Sequence, residues 1–265
     1  FILGSYLSKI YALFLCLNFY ENNRDNLLLN KSKLVKHAII FCFVYLIIIL
    51  TGERAAFIFL NSFILIFLFL KKQTRFLGYL FVILAIISNL FLYNFNEGLK
   101  TRFVENFKQQ MNLDFKNNDF FPKDYAGFFN TSLEIYKSNK IIGSGVRTFR
   151  HECKEYKNII NNSCNNHPHN YFFEILSETG LLGIFLFITF LIYFFKNLLK
   201  CLFVLKNKNK DYLAYLNIYI LLLFQPITTT GSFFNNWNLC LNSFLLAIVL
   251  YSNNKANNLI KVKDN

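Results

Sequence analysis

Apolar residues in this chain run in long blocks separated by short, lysine-rich polar segments. Seven blocks can be drawn, at residues 2–20, 37–50, 55–70, 76–95, 171–195, 212–228 and 237–251. A helix of ~20 mostly apolar residues crosses the ~30 Å hydrocarbon layer of a bilayer with its backbone hydrogen bonds satisfied internally. The pattern therefore predicts an all-α fold, a polytopic bundle of transmembrane helices with one long, mostly helical loop outside the bilayer. The expected organisation is four spans in residues 1–95, a loop at 96–170, three spans in 171–252 and a cytoplasmic tail at 253–265. The second and third blocks are short, and are expected to form a hairpin whose tip, Thr51-Gly52-Glu53-Arg54, barely leaves the bilayer.

Charge orients the bundle. Arg24, Lys31, Lys33 and Lys36 separate the first two blocks, and Lys71, Lys72 and Arg75 the third and fourth. Lys196, Lys200, Lys206, Lys208 and Lys210 follow the fifth, and Lys255, Lys261 and Lys263 follow the seventh. Odd–even alternation brings all four clusters to one face, which the positive-inside rule makes cytoplasmic. The opposite face receives the Glu53/Arg54 tip, the 96–170 loop and the 229–236 turn. Composition agrees: 54% of residues are hydrophobic and only 16% charged, where a soluble domain carries about 25% charged residues. The net charge of +13 is accounted for by these inter-span clusters, and no basic stripe interleaved with stacking aromatics suggests nucleic acid. The chain starts at Phe1, inside an apolar stretch with no charged segment before it, so it is expected to lack N-terminal membrane helices.

The long loop carries Phe103, Phe107, Phe115, Phe120, Phe121, Tyr125, Phe128, Phe129 and Tyr136 among charges of both signs. Residues 97–111 and 125–138 are expected to form amphipathic helices, giving a small cap on the membrane surface. Cys16, Cys42, Cys201 and Cys240 fall in or beside apolar blocks, where a thiol behaves as a small apolar group. Cys153 and Cys164 both lie in the outward loop, where an oxidising compartment favours a disulfide. A zinc site using these two with His167 and His169 is the alternative, and two unpaired thiols the third.

The densest polar cluster runs from Ile141 to Gly183. It holds Gly143-Ser144-Gly145-Val146-Arg147, then His167-Pro168-His169-Asn170, and, nine residues on, Gly180-Leu181-Leu182-Gly183. His169-Asn170, nine residues and Gly180-x-x-Gly183 resemble the signature of the O-antigen ligase and polymerase superfamily. Arg54 and the Gly143–Arg147 segment fall where that superfamily places its other polar motifs. The resemblance runs from about the second block to the last. It implies a bacterial inner-membrane protein that transfers a glycan from a polyprenyl-diphosphate carrier to an acceptor, on the periplasmic face and with no metal or other cofactor. Its members carry more helices than the seven here.

Arginines at the headgroup level would grip the carrier's diphosphate bidentately and stabilise the charge growing on the leaving group. Arg54 and Arg147 are the candidates, with Arg150 as a companion; the bland reading of Arg54 is snorkelling or a pair with Glu53. Gly145 lets backbone approach a ligand closely. His169 is the candidate general base, since imidazole titrates near neutrality. His167 reads as positional, and Asn170 as an N-cap that can also meet substrate. Glu174 and Glu178 share one face of the fifth helix, where carboxylates suit arginine partners or sugar hydroxyls. Gly180 and Gly183 read as a close-packing surface for a helix or lipid chain.

The function expected is that of an O-antigen ligase. Its donor would be an undecaprenyl-diphosphate-linked glycan, its acceptor lipid A–core and its solvent membrane lipid, with no nucleic acid involved. A polymerase or a protein O-oligosaccharyltransferase would share the motif. A lipid-linked-sugar transporter and a non-catalytic assembly scaffold are the readings from other classes.

Overall fold

Most of each apolar block is helical in a computed structural model, which describes residues 3–22, 31–70, 75–95, 97–106, 123–161, 163–203, 211–226 and 228–264. Arg24, Lys71, Lys72, Lys206, Lys208 and Lys210, and the loop aromatics Phe107, Phe115, Phe120 and Phe121, lie outside these residues. Among the described residues there is no strand. Helices α1 (Leu3–Asn22), α2 (Lys31–Thr51), α3 (Arg54–Phe69) and α4 (Arg75–Phe95) cover the first four blocks. The loop contributes α5 (Glu97–Lys100), α6 (Lys123–Ser138) and α7 (Phe149–Glu152). The fifth block lies within α8 (Tyr171–Phe203); the sixth, expected over 212–228, is helical only to the end of α9 (Asp211–Leu223), with Phe224, Gln225 and Pro226 outside it; the seventh lies within α10 (Asn236–Asp264). By length and composition, α8 alone among the described residues can cross a bilayer unaided, with a mean hydropathy of 2.2 over its most apolar stretch. The other apolar helices are shorter, as at Val35–Thr51, Arg54–Ile66, Gly78–Phe91 and Tyr212–Leu223.

The chain divides into two compact units. The first comprises Phe1–Phe103, Phe194–Leu223 and Leu245–Asn265. In it, α1 packs on α2, α3 and α9, while α4 packs on α2 and α3. Its core is aromatic and aliphatic: Phe41 stacks on Phe81 at 4.4 Å, and Tyr219 meets Phe59 and Phe63 edge-on. Several polar side chains buried among these helices pair with one another, which offsets the cost of burying them. Asn217 and Asn253 exchange two amide bonds at 3.0 and 3.1 Å, and Tyr45 links Asn61 to Asn89. The helix expected over residues 97–111 differs in form. After one turn at Glu97–Lys100 the backbone widens into a π turn at Thr101–Glu105, and Phe103 packs against Phe57 at 5.3 Å.

The second unit comprises Val104–Tyr193 and Phe224–Phe244. Here α6 and α7 pack on the 3₁₀ turn Cys153–Tyr156, around buried Ile135, Phe149 and Cys153. Cys153 and Cys164 are joined as a disulfide, with 4.9 Å between Cα atoms, so neither remains a thiolate for the alternative zinc site. Replacing both by Ser is expected to cost about 2–3 kcal/mol, through a less constrained unfolded loop and a looser small core. Thermal unfolding without reductant checks this: the double variant should melt several degrees below the parent, and adding reductant to the parent should close the gap. Equal melting temperatures would contradict a stabilising disulfide.

Candidate active site

The site in the second unit is built on a break in α8. Gly180 sits at φ 64°, ψ −158°, so residues 171–179 and 181–203 are two helical pieces, not the single span expected over 171–195. In an unbroken helix, Leu181 N–H would bond the Ser177 carbonyl and Leu182 N–H that of Glu178. Both bonds are open, and the 140–145 loop fills the gap. Ser144 N–H donates to Ser177 O at 3.0 Å and Gly145 N–H to Glu178 O at 2.9 Å. In return, Leu181 N–H donates to Lys140 O at 2.8 Å and Leu182 N–H to Ile141 O at 3.1 Å. These four backbone groups at the break are thus satisfied.

The glycines follow from this crossing. A Cβ on Gly180 would lie 2.5 Å from the Ile141 oxygen and 2.6 Å from the Gly143 nitrogen; one on Gly143 would lie 2.3 Å from the Glu178 carbonyl carbon. A Cβ on Gly183 would meet Thr179, whose own Cβ is 2.5 Å away. The expectation that Gly180 and Gly183 offer a surface to another helix or a lipid is therefore corrected. Gly180 takes loop backbone at van der Waals contact, and Gly183 accommodates the turn that follows the break.

The crossing places Arg147 and Glu178 together. The Glu178 carboxylate, 1% exposed, accepts from Arg147 N–H at 2.5 Å and Phe149 N–H at 3.1 Å. The charges of Arg150 and Arg147 also act on it. A second buried carboxylate, Glu174, accepts from the Ser232 hydroxyl at 2.5 Å and from Phe233 N–H at 2.7 Å. Both carboxylates were expected to serve arginines or sugar hydroxyls. Here each clamps a loop to residues 171–179, Glu178 the arginine loop and Glu174 the 226–234 turn. Asn170 works in the same way: its Oδ1 caps the helix through Phe172 N–H at 2.9 Å, and its Nδ2 holds Pro226 O at 2.8 Å. Gly145 contributes the backbone bond to Glu178 O already described.

His169 stands just before this helix with φ 60°, and Arg147 has φ 62°; no other non-glycine among the described residues has positive φ. Such backbone costs an ordinary residue ~1–3 kcal/mol and persists only where surroundings enforce it, commonly at working sites. For His169 the enforcement includes Thr230 N–H, which donates to His169 O at 2.8 Å. The imidazole lies against Tyr125 (5.8 Å), Phe128 (5.6 Å) and His167 (4.2 Å). Asn165 fixes its tautomer. Asn165 Oδ1 accepts from Asn166 N–H at 2.7 Å, so the amide nitrogen faces His169 Nε2 at 3.0 Å. An amide NH₂ only donates, so Nε2 carries the lone pair and Nδ1 the proton. His167 Nε2 donates to Thr230 O at 3.3 Å. Burial lowers both imidazoles below their ordinary 6.5, His167 to about 4 with help from the neighbouring His169.

Arg54 belongs to the first unit, where it opens α3 behind the cap residue Glu53. The Glu53 carboxylate accepts from Gly4 N–H at 3.1 Å and Ser5 N–H at 2.8 Å, so it caps α1. The same tip receives Arg102 from the π turn: a Cβ on Gly52 would lie 2.7 Å from Arg102 Cδ and 2.8 Å from its Nε. Arg102, Asn165, Thr230 and Ser232 were not singled out by sequence reasoning, and Tyr125 and Phe128 were read only as loop aromatics. They are common residue types on loops and on one helix, with no spacing that marks them.

A family described as O-antigen ligase has a model that matches residues 38–188, more than half the chain and including every motif residue above. No curated protein and no solved structure matches.

Proposed function

This chain belongs to the O-antigen ligase family, whose members are membrane-integral and act on lipid-linked glycans and their acceptors, and from that premise we propose that it is an inverting, metal-independent glycosyltransferase. In this reading it moves a glycan from undecaprenyl diphosphate to a hydroxyl of lipid A–core at the periplasmic face of the bacterial inner membrane. The seven apolar segments would be its spans. The exposure of apolar side chains on α8 supports this: only 28% of its most apolar stretch is buried within the protein, where a soluble core helix would be mostly covered.

The observation that carries the reading is that the two left-handed non-glycines, Arg147 and His169, are both fixed around residues 170–178: Arg147 N–H is held by the Glu178 carboxylate, and His169, which directly precedes Asn170, is held through its carbonyl by Thr230 N–H. His169 Nε2 takes the proton of the acceptor hydroxyl, exchanging its bond with Asn165 for one to substrate. The hydroxyl oxygen forms a bond to the anomeric carbon as the carbon–oxygen bond to the diphosphate breaks, and that electron pair leaves with the diphosphate. A single in-line displacement inverts the configuration. Arg147, with Arg150 three residues on, neutralises the leaving diphosphate, and Arg54 of the first unit is a candidate from its motif position alone. Glu178, Glu174 and Asn170 position these groups, and His167 orients the histidine pair.

The test is transfer by the full-length protein in liposomes, with undecaprenyl-diphosphate glycan as donor and lipid A–core as acceptor. Expected products are glycan on lipid A–core with inverted anomeric configuration and an equal amount of free undecaprenyl diphosphate. Glycan lengthening on the carrier would make the protein a polymerase, and glycan movement across the bilayer without bond cleavage would make it a transporter.

A further inference from the structure

Three aliphatic side chains of the docked loop are left facing outward. Ile141 is 70% exposed and Ile142 73%, and Val146 is exposed beside them. A water-washed loop seldom keeps such a group together, and a patch of this kind marks an interaction surface. Its neighbours identify the partner. Lys140 and Ile141 accept hydrogen bonds from Leu181 and Leu182, which fixes the loop at the level where the 181–203 piece of α8 begins. That piece is roughly 35 Å long at ~1.5 Å per residue, enough to cross the hydrocarbon layer. Its first turns expose Leu181, Leu182 and Phe185. Apolar surface therefore continues from helix to loop, while exposed Lys140 and the following Arg147 offer cations that suit lipid phosphates.

We propose that residues 140–146 form a membrane wedge: Ile141, Ile142 and Val146 enter the acyl region of the periplasmic leaflet, with Lys140 and Arg147 at the phosphate level. This rests on the membrane reading above and adds to it. The wedge sets the depth of Arg147 to that at which a lipid-linked diphosphate lies, so the same insertion that anchors the loop aligns the arginine with its ligand.

The experiment uses the full chain in nanodiscs of phosphatidylethanolamine and phosphatidylglycerol, with the sole tryptophan changed (Trp237→Phe) and one new probe at a time. Ile142→Trp reports the wedge and Leu186→Trp the span. Ile159→Trp reports a loop position flanked by Lys157, Asn158 and Asn161. Bromine on the lipid chains near the glycerol should quench most of the Ile142→Trp emission and acrylamide little of it. Leu186→Trp should follow chain bromine, and Ile159→Trp acrylamide alone. If Ile142→Trp follows acrylamide while Leu186→Trp follows bromine, the wedge is wrong and the membrane reading survives. Shielding of Ile142→Trp from both quenchers would mean that protein covers the patch, which also overturns the wedge. If Leu186→Trp sees acrylamide alone, the membrane reading fails together with the wedge.

Discussion

His169→Ala should lower glycan transfer by roughly 10²–10⁴-fold with the protein still present at parental level in the membrane. A positioned base contributes on that scale, and little in the surroundings of His169 can replace it. His167 donates its Nε2 proton to Thr230 O and is pushed to about 4, so it is a weaker base in the wrong orientation. The fold should tolerate the loss, because the bond that ties this position to the 226–234 turn is made by the His169 carbonyl and survives in alanine. Alanine does inherit φ 60°, so His169→Asn, which accepts that backbone more readily, is the companion variant. The pH profile follows with a definite sign. Burial lowers His169 below 6.5, which disfavours the protonated form, so the neutral base is present at and above neutrality. Activity is lost as pH falls through the folded value, giving an acidic limb below 6.5. Initial transfer rates against pH decide the matter, and an alanine variant within a few-fold of the parent would remove His169 from the base role.

Gly180→Ala should be the most damaging single-methyl change in the second unit. A left-handed residue with a Cβ costs ~1–2 kcal/mol before any contact is counted. Here the methyl also overlaps Ile141 O at 2.5 Å and Gly143 N at 2.6 Å, backbone atoms that cannot rotate away. Relief requires the loop to lift, which strands backbone groups at ~1–3 kcal/mol each. The sum passes about 4 kcal/mol, the range in which a substitution stops being tolerated. The expected result is a large fall in membrane level or melting temperature, with transfer lost in whatever folds. Gly143→Ala should reproduce it from the other side of the crossing. A Gly180→Ala variant with parental melting and transfer would show that the break is dispensable.

Much of the architecture was written in hydropathy. Helix α8 and the shorter apolar helices occupy the blocks because runs of Leu, Ile and Phe have no other way to satisfy backbone in an apolar setting. The break at Gly180 was not legible. Residues on both sides are apolar, and a lone glycine inside a helical run is an ordinary sight. What forces the break is a loop more than thirty positions earlier, and no local pattern encodes that crossing. The carboxylates show the same division. Spacing put Glu174 and Glu178 on one face, but their partners, Ser232 with Phe233 and Arg147 with Phe149, are mostly backbone amides that carry no side-chain signature. Arg102 was hidden for a related reason, since a π turn, and no periodicity, delivers it to Gly52.

The docked break also gives the maturation of the chain a direction. Residues 140–145 leave the ribosome before the segment from Tyr171 to Phe203, which on entering the bilayer can satisfy its own backbone as one uninterrupted rod. Opening that rod at Gly180 gives up two internal hydrogen bonds and, once the waiting loop slots in, returns four. The loop that fills the break is thus what keeps it open, and the same bonds that hold the helix apart hold the arginine loop in place.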